Sequence, residues 1–190
     1  MVLNDNDREL IEACQRGDQD AFAVLFAAHS DKVYSIALRY AGDPAAAMDI
    51  AQDTFLKLLS NIGQFRSDAS FDTWLYRMVV NSCLDYQRRK RKLLPILDGV
   101  IDAVCAVQDT VLHDLLRQER HEAVQDVIGK LRPDQRIVVI LRYMEELSYE
   151  HIAEIAGCSV GTVASRLNRA HRVLERRLSH LRRPGGFTRV

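Results

Sequence analysis

The segment Leu147 to Ala170, LSYEHIAEIAGCSVGTVASRLNRA, constrains this chain more than any other, because its spacing fits two short helices hinged at one glycine. Ser148 is placed to cap a first helix whose apolar contacts are Ile152, Ala153 and Ile155, with Ala153 small where helices must cross closely. Gly157 stands where a residue able to take positive φ ends that helix. Ser159 can cap the next one, and Val163 and Leu167 lie four apart on its inner face. The other face shows Thr162, Ser165, Arg166 and Arg169, the hydroxyls and guanidinium groups that reach phosphates and base edges in a major groove. The pattern is a helix-turn-helix, and it points to DNA. An ordinary helical hairpin with a solvated arginine side accounts for less of it.

With 190 residues the chain has room for one large or two small domains. It contains no run of eighteen apolar residues, so no membrane span is expected. The start, MVLNDNDRELIEA, lacks the basic-then-apolar order of a secretory signal, and a cytoplasmic location is expected. Cys14, Cys83, Cys105 and Cys158 are scattered, form no CxxC pair and have no histidines at zinc-ligand spacing. They read as small, buried or half-buried apolar residues. His29, His113, His121, His151, His171 and His180 do not cluster either, and solvated or capping roles are expected of them. Neither a phosphate-binding glycine loop nor a nucleophile motif is found. No metal, no cofactor and no catalytic residue is therefore expected.

The formal net charge is zero, which suits a DNA binder only when charge is followed along the chain. Residues 1–64 carry a net −5, residues 65–92 a net +4, residues 93–130 a net −4 and residues 131–190 a net +5. Local field governs phosphate contact more than net charge does, so the two basic blocks are candidate nucleic-acid surfaces.

Almost everything has helical periodicity. Residues 5–16 form a short amphipathic segment, and residues 20–40 place Phe22, Leu25, Phe26, Val33, Ile36 and Ala37 inward. Gly42-Asp43-Pro44 ends that helix and starts the next, with Asp43 as cap and Pro44 at the first position. This one runs to about Asn61 with Met48, Ala51, Phe55, Leu58 and Leu59 inward. After a loop, a long helix begins near Ser70 and ends in Arg88-Arg89-Lys90-Arg91-Lys92. The period fades around Pro95 and Gly99, as in a linker, although LLPILDGVIDAVCAV is more apolar than a free linker should be. Helices resume over residues 111–130 and 134–144, ahead of the helix-turn-helix and an arginine-rich tail. The expected fold is all-α: two small helical domains, residues 1–92 and 111–183, joined by a flexible linker at 93–110 and followed by a tail at 184–190.

The stretch LRPDQRIVVILRYMEELSYEHIAEIAGCSVGTVASRLNRA resembles region 4 of bacterial sigma factors. Independently, DIAQDTFLKLLSNIGQFRSDASFDTWLYRMVVNSCLDYQRRKRK resembles region 2, specifically that of the extracytoplasmic-function (ECF) class, which has only these two regions. The resemblance covers about residues 8 to 182 and implies a non-catalytic initiation factor that directs core RNA polymerase to promoters. Asp49, Gln52 and Asp53 share a polar face and, with Phe55, match the surface that docks the clamp helices of the largest polymerase subunit. The resemblance implies the polymerase flap region as a second contact.

Between residues 65 and 77, Phe65, Phe71, Trp74 and Tyr76 are mixed with Arg66 and Arg77. Aromatics stack on unpaired bases while cations hold the backbone, as capture of a melted strand requires, although part of such a set is ordinarily core. Asn81, Ser82, Asp85 and Tyr86 fall on the turn that resembles the −10 reading element. Asn81 has the donor and acceptor groups to read an extruded base. Arg88 and Arg89 open the basic run that follows, which suits phosphate contacts. In the second helix of the helix-turn-helix, Ser165 and Arg166 match positions that read the −35 element, and Thr162, Arg169 and Arg172 fit backbone contacts. Ala164 stands where the family commonly has a basic residue, so one phosphate contact is missing.

A stand-alone helix-turn-helix regulator explains the second half but leaves residues 65–92 without a purpose. A third reading is an interaction adaptor that holds partners through its acidic helices and binds no DNA. The resemblance also implies an anti-sigma factor that covers the two domains, and the apolar Leu93, Leu94, Ile96, Leu97, Val100 and Ile101 of the linker are candidate contacts for it.

Overall fold

The computed structural model describes residues 5–66, 70–97, 124–125 and 127–179. Among these every element is helical: α1 (Asp5–Gln15), α2 (Gln19–Ala41), α3 (Pro44–Asn61), a 3₁₀ turn (Ile62–Gln64), α4 (Phe71–Leu97), α5 (Pro133–Tyr143), α6 (Tyr149–Ala156) and α7 (Val160–Leu178). The expected linker beyond residue 97, most of the expected helix 111–130, and the tail lie outside the described residues.

Helix boundaries follow from capping chemistry. The Asp18 carboxylate accepts from the amides of Asp20 and Ala21, at 3.0 and 3.1 Å, and starts α2. Gly42, at φ 71, ends α2 in the left-handed region, with its N–H bonded to Leu38 O. Asp43 then accepts from Ala46 N at 2.7 Å, with Pro44 at the first position of α3. Ser70 Oγ accepts from Thr73 N at 3.2 Å at the head of α4.

Helices α1 to α4 close around Leu25, Val33, Ile36, Ala37, Tyr40, Ile50, Leu58, Leu75 and Val79, all buried. Gln15 of α1 ties the outer end of this bundle, its amide donating to Ile62 O and Phe65 O at 3.0 and 2.9 Å. By length and composition α2 alone among the described helices could cross a membrane. Here Leu25, Val33, Ile36, Ala37 and Tyr40 of α2 are buried in the bundle, and it carries Asp20, Asp31, Lys32 and Arg39.

Helix α5 is buried on every side, from Gln135 through Leu141 without a break. A helix buried all round needs neighbours on both flanks. On one flank are α6 and α7, through Ile152, Val163 and Leu167; on the other are α2 and α4. The two halves therefore share one apolar core.

Three details depart from the sequence expectation. Helix α4 continues to Leu97, beyond the basic run, through the Pro95 expected to interrupt it. Met48 and Leu59, expected inward, are 59% and 52% exposed, because the α3 contacts are made by Ala47, Ile50, Ala51, Thr54, Phe55 and Leu58. At 100° per residue, positions 48 and 59 fall on the flanks of that stripe. Phe26, also expected inward, is 45% exposed and lies against Phe55 with ring centroids 4.5 Å apart. The capped helix-turn-helix and the Asp43-Pro44 boundary are as expected.

The adjacent leucines of α3 make a direct test. Leu58→Ala should lower unfolding stability by about 2–5 kcal/mol, the cost of a core cavity, whereas Leu59→Ala should change it by less than about 0.5 kcal/mol. Urea denaturation of both variants checks this.

Candidate nucleic-acid interface

The helix-turn-helix is built from three local devices. Ser148 Oγ accepts from His151 N at 3.1 Å and opens α6. Gly157, at φ 59, closes α6, with its N–H directed at Ala153 O and Glu154 O. Ser159 Oγ accepts from Thr162 N at 3.1 Å and opens α7. Ile152, Val163 and Leu167 then lock the two helices together, all three essentially inaccessible to solvent.

This leaves Ser165, Arg169 and Arg172 exposed along one face of α7, with Thr162 half-buried at its N-terminal end. Arg166 differs from its neighbours. Its side chain is 25% exposed, with Nε 3.5 Å from Asp134 Oδ2 and Nη1 3.6 Å from Cys158 Sγ. The guanidinium is thus oriented by an acid from α5 that the sequence did not single out. Cys14 and Cys83 are buried, as expected, and burial pushes the Cys83 thiol up to about 12. Cys105 lies outside the described residues, as do His113, His121 and His180.

The second candidate surface lies on α3 and α4. Asn81 is exposed, Trp74, Asp85 and Tyr86 are half-buried, and Arg88, Arg89, Lys90, Arg91 and Lys92 are exposed. Phe71 and Ser82 do not belong to an accessible reading face. Phe71 is 4% exposed, inside a ring cluster with Phe65, Trp74 and His29. Ser82 is fully buried and accepts from Lys57 Nζ at 3.2 Å. Both support the surface from beneath; the apolar packing of α4 decides this for Phe71, and the α3–α4 contact decides it for Ser82.

Lys57 is the functional candidate that sequence reasoning missed. From α3 it reaches across to Asp85 Oδ2 at 3.0 Å, while Arg88 approaches Asp85 Oδ1 at 2.9 Å. Two cations on one carboxylate leave positive charge in the cleft of about 570 Å³ bounded by Lys57, Asn61, Asp85, Arg88 and Lys92. Burial alone would raise Asp85, but the hydrogen bonds and charges of Lys57 and Arg88 hold it below its ordinary value.

The acidic face expected to dock a partner is present on α3. Asp49 and Gln52 are exposed, and Asp53 is half-buried and paired with Arg89. Phe55, at 7% exposure, is the floor rather than the face of the neighbouring apolar groove that Phe26, Tyr34, Met48 and Gln52 line.

Polar contacts also join the halves. Glu145, in the turn after α5, accepts from Tyr76 Oη at 3.0 Å and pairs with Arg39 at 3.4 Å. Burial, then the charge and hydrogen bond of Glu145, push the Tyr76 phenol up, so it stays a donor. Thr73 Oγ1 and His151 Nε2 are 2.9 Å apart, and Arg77 Nε donates to Glu154 O at 3.2 Å. The helix-turn-helix thus sits on Thr73, Tyr76 and Arg77, part of the segment expected to hold a melted strand.

The comparisons with known proteins agree in both halves. The family model for Sigma-70 region 2 matches residues 25–93, and that for Sigma-70, region 4, matches residues 121–174. The RNA polymerase sigma-H factor of Pseudomonas aeruginosa is 35% identical over 191 residues, covering 96% of this chain and 99% of that protein. The ECF RNA polymerase sigma factor SigW of Bacillus subtilis is 34% identical over 187 residues, covering 92% and 97%. Among solved structures, the sigma factor RpoE with the anti-sigma factor NepR from Bartonella quintana gives a TM-score of 0.65 at 25% identity, covering 85% of this chain and 98% of that one. CnrH in complex with the cytosolic domain of CnrY gives 0.66 at 26% identity, covering 93% and 99%.

The Asp85 site predicts a pH dependence with a definite sign. A carboxylate held below its unfolded value contributes stability above that value and loses it as pH falls through the folded one. Wild-type protein should therefore lose stability relative to Asp85→Asn as pH drops through 3.8 and below. Urea titrations of both proteins across that range are the measurement; parallel curves would contradict the assignment.

Proposed function

This chain belongs to the sigma-70 family of RNA polymerase sigma factors, in its extracytoplasmic-function group, and from that membership we propose how its surfaces divide the work of promoter-specific initiation. The α3 face carrying Asp49, Gln52 and Asp53 docks the clamp helices of core polymerase, and the second half contacts the flap region. Asn81, with Trp74, Asp85 and Tyr86 around it, reads the −10 element as an unpaired strand, and Arg88 and Arg89 grip its phosphates. Ser165 and Arg166 read the −35 element; Thr162, Arg169 and Arg172 position α7 on the backbone. The polymerase makes the phosphodiester bonds, and the chain itself performs no covalent chemistry. It acts where the polymerase acts, in the cytoplasm. Like the relatives whose structures contain NepR and CnrY, it is held in check by an anti-sigma factor.

The observation that carries this reading is the presence, in one chain and in this order, of an exposed Asn81 beside a run of five cations and a capped helix-turn-helix with an open cationic face. A stand-alone regulator would need only the second.

The two reading surfaces cannot serve one promoter while the halves are closed on each other. Elements named for positions −35 and −10 lie about 25 base pairs apart, or about 85 Å of B-form DNA at 3.4 Å per step. Here α6 packs against both α4 and α7, and packed helices lie about 8–10 Å apart, so the two are within about 20 Å of each other where they meet it. Initiation therefore involves separation of the halves, which frees Arg77 for the melted strand.

Run-off transcription with core polymerase on a promoter library tests the function as a whole: a defined start site that depends on this protein supports it, and its absence on every template contradicts it. Arg166→Ala should cost about 1–3 kcal/mol and relax preference at one or two bases of the −35 element. Arg172→Ala should weaken all sequences alike and flatten the salt dependence. Asn81→Ala should impair strand opening, read by permanganate reactivity of unpaired thymines, with −35 binding and core affinity intact.

A further inference from the structure

Asp53 and Arg89 form an ion pair between α3 and α4, with side chains 32% and 57% exposed. The pair is a ridge between two clefts. On one side lies the cleft of about 570 Å³ with Lys57, Arg88 and Lys92 on its walls; on the other lies one of about 390 Å³ with Asp49, Gln52, Tyr86 and Lys90. Asp53 and Arg89 line both. The first cleft is predominantly basic, and the second opens onto the acidic face of α3.

The two members of this pair belong to surfaces with different ligands. Asp53 lies on the face assigned to polymerase, and Arg89 lies in the run assigned to DNA phosphate. A guanidinium already hydrogen-bonded to a carboxylate must give up that bond, or share it, to grip a phosphate. An ion pair this exposed is weakly held, so a cation presented by a docking partner can exchange for Arg89. The other charges facing Arg89 are Asp49 and Asp85, and Asp85 is engaged by Lys57 and Arg88.

We propose that Asp53 is a positioning residue for DNA binding: in the free chain it occupies Arg89, and docking of a basic surface on α3 releases Arg89 to the promoter backbone. This rests on the assignment of the α3 face to polymerase and goes beyond it by coupling that face to the DNA grip. By linkage the coupling is reciprocal: whatever docking adds to DNA affinity, DNA adds to docking affinity. The acid also restrains the free chain from binding DNA indiscriminately, as a bare cationic helix end otherwise would.

The test uses the full chain, a short double-stranded DNA without promoter elements as probe, and fluorescence anisotropy over a range of salt. Asp53→Asn should tighten DNA binding by the free chain about threefold to tenfold and steepen the slope of log K against log salt by about 0.9, the signature of one added phosphate contact. Asp53→Glu, which keeps the charge, should behave as wild type. Adding Arg89→Gln to Asp53→Asn should remove the gain. Unchanged affinity and slope in Asp53→Asn, or a gain that persists without Arg89, would overturn the proposal. Core-polymerase affinity of Asp53→Asn, measured on the same samples, reads the docking assignment separately: a loss there with no change in DNA binding sinks the coupling alone.

Discussion

The arrangement of this molecule depends on one buried cation. Arg136 of α5 is 7% exposed, and its guanidinium donates to Tyr40 O at 2.8 Å, to Leu131 O at 3.4 Å and to Gly129 O. Tyr40 lies in the last turn of α2, where unpaired carbonyls and the helix dipole favour positive charge. The same guanidinium lies over the Tyr40 ring, 5.1 Å from its centroid. One side chain thereby caps a helix of the first half and braces the turn that leads into α5 of the second. Removing it would take this donor from the buried carbonyls of Tyr40 and Leu131, so the contact is costly to break locally. It nevertheless buries a charge that pairs with no carboxylate among the described residues, and burial shifts its guanidinium down. Such an interface is strong when satisfied and contributes little once water enters.

That balance suits the proposed function, in which the halves fold together and come apart to read a promoter. The apolar part of the junction, the core that α5 shares with α2 and α4, sets the contact. The polar rim of Glu145, His151 and Glu154 fixes its register against Arg39, Tyr76, Thr73 and Arg77. Rim pairs of this exposure exchange readily for other partners. In the proposed function, promoter DNA supplies one, its phosphate competing for Arg77. The exchange proposed for Asp53 and Arg89 follows the same logic on a smaller scale.

The sequence disclosed what local chemistry decides. Ser148, Gly157 and Ser159 announced the helix-turn-helix, and Asp43-Pro44 announced the start of α3, because caps and left-handed glycines act within four residues. The face of α7 was legible from spacing alone. Contacts between distant segments were not. Nothing within α4 says that Ser82 is covered by Lys57, twenty-five residues earlier, or that Arg166 is oriented by Asp134. Phe71 reads equally as a stacking platform or as core until its neighbours Phe65 and His29 are in place. Met48 and Leu59 were misplaced because a periodic stripe fixes its centre better than its edges. Closure of the two halves left no periodic signal; it is carried by Arg136 and Glu145, charged residues that sequence alone assigns to solvent.

The most direct measurement of this account is the distance between α3 and α7 in the free chain and in the promoter complex. A donor and an acceptor placed by site-specific incorporation at the exposed Ser60 and Asn168 would report it by energy transfer. High transfer in the free chain, falling steeply when core polymerase and a promoter carrying both elements are added, is the predicted result, because the elements are about 85 Å apart. Transfer that stays high in a transcriptionally active complex would contradict the claim that these halves separate to read a promoter.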